Sequence, residues 1–406
     1  MKKILLLLIL LFPINIYSLE LPEVSSDTVV IYDVNEDKML FNKNGESRHD
    51  IASLTKIATI ITIIDRFDRN IMKKVTITDQ MRWAVNPELS IHKIQTGEEY
   101  TYADLMQMCM KESAADACMA LAFDFAGNEA KMTELVNEEI KKIGLEHTHF
   151  TNITGLDDPN HYSSANDILK LLQYSIKNET FMSVYTGNEA YLSNGQTIYP
   201  TFRMFAKMLN LDLSQVKGAK TGFTDKAGLC FASLIRVEDH EMIMITLGAP
   251  PVLKEGYHIR DAYTLINFLE DNYNYETLYN KDNVIKTIEI ELSKQETFDI
   301  KVKEEIKKFL PSDYDKSLIS YKYEGKDKIS YLDKKGANIG KVSYYYNNEL
   351  LYEHDVIIDI DIEYSITKLL NKYKYYLMGM LSLLILLIIL IVNLRRKKVV
   401  KKQYIW

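Results

Sequence analysis

The chain has 406 residues and a formal net charge of −7, with 47% apolar and 26% charged residues. That balance can bury a sizeable core, so it excludes a disordered chain, and the acidic excess excludes the basic footprint of a nucleic-acid binder. Cys109, Cys118 and Cys230 are too few and odd in number for a disulfide framework, and are expected to pack as small apolar groups.

In chain order, Met1-Lys2-Lys3 leads into the apolar run Ile4 to Phe12, followed by Pro13 and the small Ser18. This is the charge, length and exit of a secretory signal peptide over residues 1–18. Thr28 to Tyr32 and Lys38 to Phe41 read as a hairpin of strands around Asp33 to Asp37. From Ser53 to about Asp65, Ile57, Ile60, Ile61 and Ile64 recur at helical spacing, which predicts a helix with one buried face. Thr101-Tyr102-Ala103-Asp104 forms a capping box ahead of a helix over Leu105 to Met110. Further helices are expected over Ala117 to Phe125 and over Glu129 to Ile143, where Gly144 stops the second. A long polar loop through Asn152 to Pro159 then precedes a helix over Asn166 to Tyr174. Gln215 to Lys220, Leu229 to Val237 and Met242 to Leu247 read as three successive strands, with Glu238-Asp239-His240 as the last turn. A helix from about Ile259 to Phe268 closes this region.

The texture changes after about residue 275. Ile288, Ile290 and Leu292 alternate with Thr287, Glu289 and Glu291, and Phe298, Ile300 and Val302 alternate with Thr297, Asp299 and Lys301. Period two marks half-buried strands. Ile329 to Leu332, Lys341 to Tyr346 and Val356 to Ile362 continue the pattern, with turns at Asp333 to Gly336 and at Asn347-Asn348. A small all-β domain over residues 280–366 follows from this, and the tyrosines from Tyr321 to Tyr346 read as strand residues.

Tyr375 to Leu394 is apolar apart from Ser382 and Asn393. Some 20 residues at ~1.5 Å each cover the ~30 Å hydrocarbon core, so residues 375–394 are expected to form a single transmembrane helix. Six cations, Arg395, Arg396, Lys397, Lys398, Lys401 and Lys402, follow within eight residues. The positive-inside rule puts residues 395–406 in the cytoplasm and the rest of the mature chain on the extracytoplasmic face of the cell membrane.

Chemistry is concentrated in two fragments. Ser53 and Lys56 are three residues apart, so on a helix they share one face, and the amine can reach the hydroxyl. A lysine serves as a base only when neutral, which requires burial against the Ile57 face and a second cation, for which Lys220 is the candidate. A serine at a helix N-terminus also turns N–H groups toward developing oxyanion charge. Lys220-Thr221-Gly222 sits at the end of a predicted strand. There the glycine would let a substrate backbone approach, and the lysine and threonine could hold a carboxylate. Ser113, in the polar break between helices, could relay a proton to a leaving amine.

These motifs resemble the penicillin-binding proteins of the D-alanyl-D-alanine carboxypeptidase type, a serine peptidase family whose superfamily carries Ser-x-x-Lys and Lys-Thr-Gly signatures. The likeness extends over residues 28 to 64, Gln95 to Thr101, Ser113 to Ala122, Thr148 to Asn152, Gly155 to Ser163, and Lys220 to Thr224 with Ala227-Gly228 and Leu247 to Ala249. It implies a β-lactamase/transpeptidase-like α/β catalytic domain over residues 20–274, an antiparallel sheet flanked by helices. It also implies that Ser53 attacks the bond between two D-alanines of a peptidoglycan stem peptide. Lys56 would accept the proton and Ser113 carry it on. Lys220, Thr221 and Thr224 would hold the terminal carboxylate, and the N–H groups of Ser53 and Phe223 would form the oxyanion hole. β-Lactam antibiotics would acylate Ser53, and neither a metal nor an organic cofactor is implied.

The chain departs from the family pattern at Ala115, where the family's Ser-x-Asn motif has its asparagine, and Asp116 matches the aspartate that commonly follows. Alignment by eye puts His258, with Arg260 two residues on, where some relatives hold the carboxylate with an arginine, and neither residue is assigned that role. Two other readings stand beside the carboxypeptidase. A β-lactamase shares Ser53 and Lys56 but needs fast deacylation, and a weakly active or inactive wall-binding scaffold takes Ala115 as decay. His147 and His149 lack a companion ligand set of the usual spacing, which favours loop packing over metal binding. His161 is expected to fix the long loop.

Overall fold

The structure is a computed structural model that describes residues 20–67, 70–86 and 89–403. The expected leader lies outside the described residues, as do residues 404–406 of the expected tail. Two compact units divide between Asn274 and Tyr275.

The first unit is built on a five-stranded antiparallel sheet in the order Lys38–Lys43, Thr28–Asp33, His240–Ala249, Gly228–Val237, Val216–Thr224. The early hairpin joins the late strands because Thr28 to Asp33 pairs with Leu247 to Met242. Central strands covered on both faces read as continuous apolar runs, and Gly228–Val237 is buried at every residue but Arg236. Ile243, Ile245 and Leu247 enter the main apolar cluster with Ile57, Ile60 and Ile168. Met242 and Met244 alternate to the opposite face, against whose strands the helix Tyr257–Asn272 packs.

Three differences from the sequence-based expectation bear on the site. The third-motif strand does not stop at Lys220 but runs through Thr224, with Lys220, Thr221 and Gly222 paired to Ala232, Phe231 and Cys230. His240 belongs to a strand, leaving Glu238-Asp239 as the turn, and its Nδ1 lies 2.6 Å from Asp33 Oδ2. The serine helix buries more than one stripe. In Thr55–Arg66 every residue from Thr55 to Ile63 is buried, because it packs against Glu129–Ile143, Ala165–Ser175 and Glu179–Tyr185. Its polar residues are served locally, Thr59 Oγ1 donating to Ile153 O at 2.9 Å and Thr62 Oγ1 to Ala58 O at 2.7 Å.

In the second unit, Val284–Glu291 lies between Thr297–Lys301 and Lys328–Ser330, and Asn338–Tyr346 lies between Ile319–Gly325 and Glu349–Ile357. Ile288, Ile290, Phe298, Ile300, Val342 and Tyr344 fill its core. Asn347 and Asn348, at φ 48° and 63°, make the two-residue turn their identities favour. That turn starts the last strand at Glu349, so the expected strand over 356–362 is corrected to Glu349–Ile357. A helix Lys374–Gln403 follows, and its segment Lys374–Arg396 is long and apolar enough to cross a bilayer.

Candidate active site

Ser53 sits in a single 3₁₀ turn, Ala52–Leu54, just ahead of the α-helix rather than on it. Entry into this turn puts Ala52 at φ 45°, a left-handed conformation that costs a non-glycine residue about 1–2 kcal/mol. The surroundings hold it there. Thr55 Oγ1 donates to Ala52 O at 2.8 Å and accepts from His161 Nε2 at 2.8 Å, while His161 Nδ1 accepts from Thr151 N at 3.2 Å. This pattern requires a neutral imidazole with its proton on Nε2, and burial lowers the His161 pKa to about 4. His161 therefore fixes the loop and the serine turn together.

The loop closes over the turn at Gly155. Its φ is +91°, and a Cβ there would stand 1.9 Å from Ala52 O and 2.9 Å from Ser53 N. Only glycine seats the loop this closely. Asn152 shapes the approach by accepting the N–H groups of Gly155 at 2.7 Å and Leu156 at 3.0 Å.

Lys56 projects from the first turn of the helix, 1% exposed. Its Nζ lies 2.8 Å from Ser53 Oγ and donates to Thr154 O at 2.7 Å. Burial lowers its pKa from the ordinary lysine value. Lys220, also 1% exposed, donates to Thr221 O at 2.8 Å. Burial first, and then the charge of Lys56, push the Lys220 pKa well down. Burial without a carboxylate partner disfavours the charged form of both amines. A neutral Nζ offers a lone pair along the line to Ser53 Oγ, and the hydroxyl can then donate to it.

The edge strand reaches the serine turn through Gly222. A Cβ there would meet Ile51 O at 2.8 Å and Ala52 Cβ at 3.2 Å. The glycine thus admits the protein's own backbone at the serine turn. Phe223 follows, 37% exposed on the outermost strand. Thr224 is engaged elsewhere. Its hydroxyl donates to Asp157 Oδ1 at 2.7 Å and accepts from Ala227 N at 2.9 Å, which leaves no free proton for a carboxylate in this arrangement.

Ser113 ends the π-helical turn Met108–Glu112 and takes φ 62°. That turn packs against the serine helix, and the strand of Lys220 packs against the serine turn. Ser53, Lys56, Lys220 and the Ser113 segment therefore converge on one region. Ala115 is wholly buried and its N–H donates to Ser90 O at 2.8 Å. Asp116 organises the same wall by accepting the N–H groups of His92, Lys93 and Ile94 at 2.9, 2.8 and 3.1 Å.

His258 lies between Phe205 and Phe231, and burial drives its pKa to about 3. It is an uncharged core residue. Arg260 Nε donates to Glu255 O, in the 3₁₀ turn ahead of its helix, at 2.8 Å. His149 Nδ1 bonds Asn160 O at 2.7 Å, a loop contact. Among the described residues no group of three His, Cys, Asp or Glu is placed to hold a metal. All three cysteines are free and buried.

The family model described as D-alanyl-D-alanine carboxypeptidase matches residues 16–251, and the one described as penicillin-binding protein 5, C-terminal domain, matches residues 273–364. The Bacillus subtilis (strain 168) D-alanyl-D-alanine carboxypeptidase DacF is 26% identical over 340 residues, covering 83% of this chain and 85% of that protein. The Escherichia coli (strain K12) D-alanyl-D-alanine carboxypeptidase DacA is 31% identical over 215 residues, covering 51% of this chain and 52% of that protein. The chain thus matches about half the length of this second relative. The crystal structure of penicillin binding protein 5 from Haemophilus influenzae superposes with a TM-score of 0.58 at 22% identity, over 85% of this chain and 99% of that one. PBP3 from Streptococcus pneumoniae superposes with a TM-score of 0.62 at 19% identity, over 84% of this chain and all of that one (100%).

Proposed function

Because this chain belongs to the D-alanyl-D-alanine carboxypeptidase family, we propose that it removes the terminal D-alanine from peptidoglycan pentapeptide stems through an acyl-enzyme on Ser53. The observation that carries the reading is the 2.8 Å approach of Lys56 Nζ to Ser53 Oγ, at an amine whose burial favours the uncharged form.

In the proposed reaction Lys56 takes the Ser53 proton as Oγ bonds to the penultimate D-alanine's carbonyl carbon. The N–H groups of Ser53 and Phe223 receive the developing oxyanion. The C–N bond then breaks, and the proton passes by way of Ser113 to the leaving amine. Water next attacks the ester, returns a proton to Ser53 and frees the shortened stem. Lys220 and Thr221 hold the terminal carboxylate, whose negative charge favours the protonated form of Lys220. Thr224 joins them only if it releases Asp157.

β-Lactams would occupy the same site and acylate Ser53. The domain plan that accompanies this reading is a leader, a catalytic domain, a small β domain and the anchor helix Lys374–Arg396, with the catalytic domain outside the cell membrane and the basic tail inside.

Incubation with a fluorescent penicillin and with a D-Ala-D-Ala peptide, wild type beside Ser53→Ala, tests the reading. The expected result is a slowly released adduct and D-alanine release, both lost in Ser53→Ala. Rapid release of the adduct would favour a β-lactamase, and absence of labelling would favour the inactive scaffold that Ala115 suggests.

A further inference from the structure

Lys111 is a third buried lysine of this unit, and neither acylation nor carboxylate binding uses it. It lies two residues before Ser113 on the π-helical turn and is 2% exposed. Its Nζ donates to the carbonyls of Tyr185 at 3.4 Å, Gly187 at 3.2 Å and Thr186. Tyr185 ends the helix Glu179–Tyr185, whose last carbonyls lack intrahelical donors and whose dipole favours a cation there. An ammonium group has three donors for these three acceptors.

The receiving carbonyls are fastened in turn to the strand that carries Lys220. Gly187 N donates to Lys217 O at 2.9 Å, and Thr186 bridges to Gly218. Gly218 is close enough that a Cβ on it would stand 2.5 Å from Tyr185 O. Tyr185 OH reaches the next strand at Ala232 O, 2.7 Å away. On the other side, Thr201 Oγ1 donates to Lys111 O at 2.9 Å.

Ser113 at φ 62° is a strained position that must be held from both directions. The Ala115 and Asp116 contacts hold it from the C-terminal side. We infer that Lys111 is a positioning residue that holds it from the N-terminal side, locking the Ser113 hydroxyl to the strand of Lys220. The inference rests on the reading of Ser113 as the proton relay.

Full-length wild type, Lys111→Met, Ser113→Ala and the double variant are compared for kcat and KM of D-alanine release, for fluorescent penicillin acylation and for thermal midpoint. A misplacement of about 1 Å at a catalytic group can cost about a hundredfold. Lys111→Met is therefore expected to lower kcat and acylation by about ten- to a hundredfold, with KM within about threefold. In the Ser113→Ala background the same change is expected to cost less than about threefold, because the two residues act as one unit. Lys111→Gln keeps two donors and should lose less, and it carries the same comparison if Lys111→Met does not fold. Unchanged rates, or equal losses in both backgrounds, would overturn the inference alone. Failure of wild type to label at Ser53 would overturn the carboxypeptidase reading and this inference with it.

Discussion

Buried lysines divide the two units of this chain. In the second unit Lys308, with its side chain 2% exposed, meets the carboxylate of Glu349 at 2.9 Å. In the first unit Lys56, Lys111 and Lys220 are equally buried, yet their hydrogen-bond partners are a hydroxyl and backbone carbonyls. A carboxylate partner lets a buried lysine stay charged, so Lys308 is explained as structure. Without one, burial depresses the pKa, to about 8 at Lys111 and well below the ordinary value at Lys220, and lowers it at Lys56, where the uncharged amine is available for chemistry.

The comparison breaks most visibly at Lys56. Lys56→Met removes the base and should lower acylation and D-alanine release by about 10²–10⁴-fold, read as the rate of fluorescent penicillin labelling. Retention of near-wild-type labelling would transfer the base to another group. Gly155→Ala tests the seat of the serine rather than its chemistry. The unfavourable φ and the contact with Ala52 O should cost roughly 2–4 kcal/mol of stability, seen in thermal or denaturant unfolding, and most of the activity.

How much of this was legible in the sequence follows from what kind of interaction built each part. Ser53 and Lys56 were legible because three-residue spacing is a local fact, and Glu129–Ile143 was legible from its periodicity and from Gly144. The helices Glu179–Tyr185 and Thr201–Leu209 were missed, because elements of seven and nine residues offer too few turns for a periodic pattern to stand out. The strand containing Lys220 was read too short, because Thr221 to Thr224 carries no alternating pattern and owes its strand conformation to pairing with Gly228 to Phe231. Lys111 was invisible as a site residue, since a lysine in a polar break looks solvated until Tyr185 to Gly187 fold against it. The contact of Gly222 with the serine turn was out of reach for the same reason. Its neighbours, Ile51 and Ala52, lie far away in sequence.

Smaller effects sharpen the contrast. Ala115→Asn supplies the amide that the family motif has, and should raise kcat/KM for a D-Ala-D-Ala peptide by up to about tenfold, the worth of one hydrogen bond to a positioned group. An unchanged rate would mean that the buried methyl is not the site's deficiency. Lys308→Met should do least. Glu349 is about half exposed, at 49%, and would stay solvated, so stability should move by no more than about 1 kcal/mol and activity should not change.

Direct titration of Lys56 tests the central claim. The ε-carbon NMR signal of labelled lysine, assigned by its loss in Lys56→Met, is followed with pH beside the rate of penicillin acylation. A base with a lowered pKa loses its proton at lower pH than a free lysine, so activity should rise with pH through that lowered midpoint and follow the NMR titration. A Lys56 midpoint at the ordinary lysine value of about 10.4, with acylation already complete far below it, would contradict the account.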